Sequence, residues 1–402
     1  MPSSPEPGGR PVEIDLEGIG LDEGGEVLLR RALRRVPSGG EVAVKGVHPE
    51  LTLHLRAWAR GEGIGYRACE GGAGGTLVRT DRFESMPVER AGGSGIEGVR
   101  DHPPANWGLA GRSAQVELGG PAFDFTLIDK AELWADDAAR LYARATAAQW
   151  DPATAIDWSA EIEHDEEIED AVVQVMTYLI ENETAALMVP ARFIARLHPH
   201  FREVMQLLAM QAAEEARHIE VFTRRALMRR DCLGLSSTGG QASLKTLIDE
   251  PDFALASFLL SVMGEGSFLV LLDFLQRHGP DSITRAVARL AAQDEARHVA
   301  FGLAHLRRHA AEDPGLLARL SNAMHRRHAE LAETAGLNRR VFEGLTVMAA
   351  GGFSPASIAQ GHARVMQLQA DMDHARRVSL SRLGFADADA AALSQLHTRN
   401  FM

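Results

Sequence analysis

The reading turns on a short stretch that occurs twice, EEARH at residues 214–218 and DEARH at residues 294–298. Each copy sets a Glu and a His three residues apart, Glu215 with His218 and Glu295 with His298, inside strong helical periodicity. Residues at that spacing share one face of a helix, so each copy presents a carboxylate beside an imidazole. A lone Glu-x-x-His says little: Glu161 and His164 form another, in the acidic run EIEHDEEIED, which reads as a solvated face without a partner. Two copies, each preceded by an acid and enclosing the same Ala-Arg, point to a shared task.

A four-helix bundle that binds two metal ions takes a Glu-x-x-His from each of two helices and a single Glu from each of the other two. The helix before the first copy offers Glu183, in YLIENETAALMV, with Glu181 as an alternative if that helix is rotated or bulged. The helix before the second offers Glu265, the only acid in the apolar run LLSVMGEGSFLVLL, where an unpaired carboxylate is costly to bury. In an antiparallel hairpin, two ligands meet at one height only if the turn lies midway between them. Glu183 and Glu215 are 32 residues apart with Pro199 at the midpoint, and Glu265 and Glu295 are 30 apart with Gly279-Pro280 near theirs. Each arm of about 15 residues makes roughly 22 Å of helix. The 47 residues from His218 to Glu265, with the loop-like SSTGG, supply the one long crossover of such a bundle. Four carboxylates and two imidazoles suit two iron ions, with manganese possible in one or both sites, whereas zinc would recruit fewer carboxylates.

Around this centre the chain divides into residues 1–80, a small α/β unit; 81–127, connecting structure with strand-like AQVEL and FDFTLI; 128–312, the bundle; and 313–402, further helices packing on it. The fold class is mainly α. Pro190, seven residues past Glu183, is expected to kink or end the regular part of its helix. His325, His328, His362 and His374 read as surface or packing residues. A formal net charge of −13 argues against nucleic acid or an anionic membrane as partner. Cys69 and Cys232 are the only cysteines, so no disulfide framework or iron–sulfur domain can be built and electrons must come from an external donor. Cys69 reads as a small buried hydrophobe on a strand. With no signal-like start and no segment reaching the length of an uncharged membrane span, the expected location is the cytoplasm.

EEARH and DEARH resemble the (D/E)ExRH motifs of the ferritin-like di-iron carboxylate superfamily, which includes ribonucleotide reductase small subunits, bacterial multicomponent monooxygenases and acyl-carrier-protein desaturases. The resemblance covers about residues 130–310. It implies that Asp294 orients His218 and Glu214 orients His298, that Glu215 and Glu295 are candidate bridges, and that Glu183 and Glu265 are terminal ligands. It also implies a dioxygen-activating oxidoreductase that hydroxylates, N-oxygenates or desaturates a small organic or carrier-bound substrate, with a homodimer possible; the alternative is a ferroxidase or iron-handling protein without organic substrate. Phe222 stands where reductase subunits carry a radical-forming Tyr, which speaks against that role unless Tyr178 has taken it. Residues 12–80, in β-α-β-α-β-β order, resemble TusA-type sulfur-carrier domains. Leu21-Asp22 replaces that family's reactive Cys-Pro, which implies a degenerate unit kept for docking.

Overall fold

Short alternating strands at the N-terminus and long periodic helices beyond it partition the chain into two units, residues 1–89 with 115–118 and residues 90–114 with 119–402. The computed structural model describes residues 12–69, 73–84, 87–331 and 339–398.

In the first unit the order is β1 (Val12–Asp15), a π-helical turn at Leu21–Gly25, α1 (Glu26–Arg34), β2 (Glu41–Lys45), α2 (Leu51–Gly61), β3 (Gly65–Ala68) and β4 (Gly74–Val78). The sheet runs β1-β2-β4-β3, parallel between β1 and β2 and antiparallel elsewhere. Val42, Val44 and Leu77 of the sheet share a core with Leu29 and Leu33 of α1 and Leu51 and Leu55 of α2. The β-α-β-α-β-β order matches the expectation. Cys69 does not: it lies just past the end of β3, whose last two residues are also exposed, and it is exposed itself. Of the strand-like pieces in 81–127, the first forms β6 (Gln115–Glu117), paired with β5 (Val88–Arg90), whereas FDFTLI makes only an isolated bridge, Leu127 to Leu197.

The second unit is helical. Its short lead-in helices are α3 (Lys130–Leu133) and α4 (Ala138–Ala147). The first hairpin joins α5 (Glu166–Ile194) to α6 (Arg202–Ala226) through a 3₁₀ turn at Pro199–Phe201. The crossover carries α7 (Thr238–Asp249), so SSTGG is less a loop than a helix start: Ser237 caps it, its side chain accepting from the Gly240 N–H. The second hairpin rises through α8 (Phe253–Ser257), a π-helical stretch at Phe258–Glu265 and α9 (Gly266–His278), then returns along α10 (Ser282–Glu312). Asp281 caps α10 through the Thr284 N–H at 2.8 Å. The remaining helices are α11 (Leu316–Leu331), α12 (Arg339–Ala350), α13 (Pro355–Leu383) and α14 (Asp387–Thr398); α12 lies against α5, and α13 against α9 and α10.

Three local expectations change. Helix α5 continues through Pro190 to Ile194, so the proline does not end it; Pro190 is buried and lines a small cavity with Phe193, Leu208 and Phe253. Phe253–His278 is, by length and composition, long and apolar enough to cross a membrane, its only charges being Glu265 and, near its end, Asp273 and Arg277; 83% of its most apolar window is buried within the protein. The acidic run before α5 is not all solvated. His164 meets Glu169 at 2.7 Å, and Glu169 is fully buried in a bidentate pair with Arg225, which also holds Asp281 and Thr284.

Candidate metal centre

All six residues singled out as ligands turn inward to one place. Glu183 comes from α5, Glu215 and His218 from α6, Glu265 from the last π-helical residue and Glu295 and His298 from α10, none more than 4% exposed. The two pentapeptides repeat one burial pattern, with acid, Glu and His inside, Ala outside and Arg half-buried, as the helical period dictates. Glu181, two residues from Glu183, is only half-buried and lines a separate pocket with Thr184 and Lys245.

The six form two overlapping quartets, Glu183, Glu215, His218 and Glu295, and Glu215, Glu265, Glu295 and His298, each offering ligand atoms within 4.8 Å of one another. Glu215 and Glu295 belong to both. His218 Nδ1 lies 3.2 Å from Glu215, 3.4 Å from Glu295 and 3.5 Å from Glu183. His298 Nδ1 lies 3.0 Å from Glu215 and 3.3 Å from Glu295. Both Nε2 atoms point the other way, His218 to Asp294 at 3.1 Å and His298 to Glu214 at 2.8 Å. Each imidazole therefore has its outer nitrogen held by the acid that opens the facing motif, which sets the inner nitrogen toward the carboxylates.

Those outer acids are themselves held. Asp294 accepts from Trp150 Nε1 at 2.8 Å and from Arg217 at 2.7 Å, and also pairs with Arg297. Glu214 accepts from Arg297 at 2.6 Å and Gln149 at 2.7 Å. The Arg217 guanidinium lies over the Trp150 ring, 4.4 Å from its centroid. The motif arginines thus pair with acids across helices. Sequence reasoning missed Gln149 and Trp150, which sit between α4 and α5 with no motif around them, and Gln211, whose amide donates to Glu265 at 2.8 Å. Only the position of Gln211, one turn before Glu215 on the same face, could have signalled it. Phe222 packs beside His218, and Tyr178 has Arg327 and Glu181 as its charged neighbours.

The electrostatics are those of a cation site. Burial first, then the charges of Glu215 and Glu295, push the Glu183 carboxyl well above the usual range; burial and Glu295 do the same to Glu265. Burial would also raise Glu215, but His298 and His218 pull it below that range. Burial opposes charge on His218 and His298, yet the surrounding carboxylates raise both. Glu183, Glu215, Glu265 and Glu295 each keep one buried oxygen that accepts no hydrogen bond, a defect that native interiors seldom tolerate, although three of these oxygens have a His218 or His298 nitrogen within 3.0–3.5 Å.

No family model and no curated protein matches the sequence. Among solved structures, the chain is similar to a valine-to-isoleucine variant of an R2-like ligand-binding oxidase with aerobically reconstituted Mn/Fe cofactor, at 18% identity and a TM-score of 0.46, over 64% of this chain and 94% of that one. It is also similar to a protein with aldehyde deformylating oxidase activity from Synechococcus, at 17% identity and a TM-score of 0.40, over 57% of this chain and 96% of that one. The sulfur-carrier resemblance of residues 12–80 finds no support in these comparisons.

Proposed function

We propose that the helical unit is a dioxygen-activating oxidoreductase that works with two iron ions, or with manganese in one or both places. One observation carries this reading: four buried carboxylates each keep an oxygen that accepts no hydrogen bond, and three of those oxygens lie 3.0–3.5 Å from the inner nitrogens of two oriented imidazoles. The charge balance fits. Glu183, Glu214, Glu215, Glu265, Asp294 and Glu295 against Arg217 and Arg297 leave four negative charges, which two divalent cations neutralise. Four carboxylates with two imidazoles are the donor set that iron and manganese prefer.

In this reading His218 and His298, through the nitrogens that face the carboxylates, would hold the ions together with Glu183, Glu215, Glu265 and Glu295. Asp294 and Glu214 hold the Nε2 protons and fix both ring orientations. Gln211 anchors one oxygen of Glu265. A redox-active metal pair, when bound, supplies the electrons that dioxygen accepts and the oxidising power then directed at a substrate. Leu247, Leu260 and Phe268, all buried, give the cavity beside the site apolar walls. The chain's two cysteines cannot build a redox group of their own, so we assign reduction to an external donor, and the setting to the cytoplasm.

Oxidation of iron itself, without an organic substrate, is favoured by one observation: the cavity beside Glu183, Glu265 and Glu295 measures only about 20 Å³. The test is anaerobic iron loading with metal analysis, then stopped-flow absorption on mixing with oxygen, in wild type and Glu265→Ala. Two irons per chain and a transient visible band, both reduced in the variant, support the reading; a chain that binds no metal refutes it. Sustained oxidation of excess ferrous iron with a retained mineral would assign the ferroxidase role instead.

A further inference from the structure

The cavity beside the carboxylates has one polar lining residue outside the six. Asn182 shares it with Glu183, Glu265 and Glu295, and the remaining walls are Ala186, Leu247, Leu260, Gly264 and Phe268. Asn182 is buried, and its amide is oriented by its own helix: Nδ2 donates to the Tyr178 carbonyl at 2.6 Å, and a carbonyl oxygen can face only a donor. The amide oxygen is therefore the free end. It is buried and has no hydrogen-bond partner. An acceptor left that way in a largely apolar cavity is costly unless something donates to it.

We propose that Asn182 is a positioning residue that accepts a hydrogen bond from an O–H or N–H group held in this cavity against Glu183, Glu265 and Glu295. The cavity admits about one water-sized group. Its occupant is thus a water-like, hydroxylamine-like or small alcohol or amine donor, or the donor end of a larger molecule. Selection arises from the same orphaned oxygen. A ligand without a donor leaves Asn182 unpaired, and a site built to bond an O–H or N–H discriminates strongly against analogues that lack it. The inference rests on the metal reading above, and its test separates the two.

The protein is loaded anaerobically with cobalt(II), whose visible bands report exogenous ligands, and titrated with hydroxylamine, which donates, and with azide, which does not. In Asn182→Leu the hydroxylamine dissociation constant should rise about tenfold or more, while that of azide moves less than about twofold. Asn182→Ala replaces the leucine variant if that chain does not fold. Equal shifts for both probes overturn the proposal while cobalt binding stands. A wild-type chain that takes up no cobalt overturns the metal reading and this inference with it.

Discussion

Metal binding should expel about four protons per chain. In the metal-free fold, the four negative charges left around the centre can be balanced by protons on Glu183, Glu265, His218 and His298, all four held above their ordinary ranges. Two divalent cations balance the same charge, so they displace two carboxyl protons and two imidazolium protons. The sign follows: groups with raised values keep their protons until the pH is high, so acid opposes the metal and affinity rises with pH. With four protons released, the product of the two binding constants changes by about 10⁴ per pH unit, or about 5.4 kcal/mol at 1.36 kcal/mol per proton and pH unit. Calorimetric titration near pH 6 with manganese(II), in buffers of different ionisation enthalpy, counts the protons directly. A count below one per chain would refute the electrostatic account, since the carboxylates would then have been ionised without any counter-charge.

Two further outcomes follow from the surroundings of the centre. Asp294→Asn should weaken the quartet containing His218 by about 10–100-fold and Glu214→Gln the quartet containing His298 by a similar factor; metal competition assays that find both positions equally affected by either change would contradict the crossed pairing. Arg225→Met leaves Glu169 and Asp281 buried without their cation and should cost about 3–5 kcal/mol in urea unfolding. Burial raises both carboxyls but Arg225 lowers them further, so their contribution is present above about pH 4 and lost as pH falls through the depressed values. The deficit of the variant should therefore shrink in acid.

The part of the site written as helical spacing was legible. A doubled Glu-x-x-His, two solitary acids and midpoint turns are local or nearly local patterns, and helix geometry converts them into a common height. What escaped was set by contacts between distant segments. Trp150 reaches Asp294 across 144 residues, and Gln149 reaches Glu214 across 65, from a stretch with no periodicity to read. Glu169 looked like one more acid in a charged run because its partner, Arg225, lies 56 residues away. Pro190 does not end α5: the rule against proline in helices describes a local cost that this long buried helix absorbs. Asn182 carries no signal in its neighbourhood; it shares a cavity with Leu247 and Phe268, which come from helices far along the chain.

The π-helical winding from Phe258 to Glu265 sets how this segment responds to a change in its length. An α-helix advances about 100° per residue. A π turn holds one residue more than an α turn, so deleting Leu259 or Leu260 would let the stretch relax into regular α-helix while the faces on either side of it keep nearly the same phase. A deletion in the regular turn of α8 has no such slack: it rotates what lies upstream by about 100° relative to Glu265. The segment thus holds spare length between α8 and the centre, and shortening it by one residue should straighten the helix while leaving Glu265 among the other ligands.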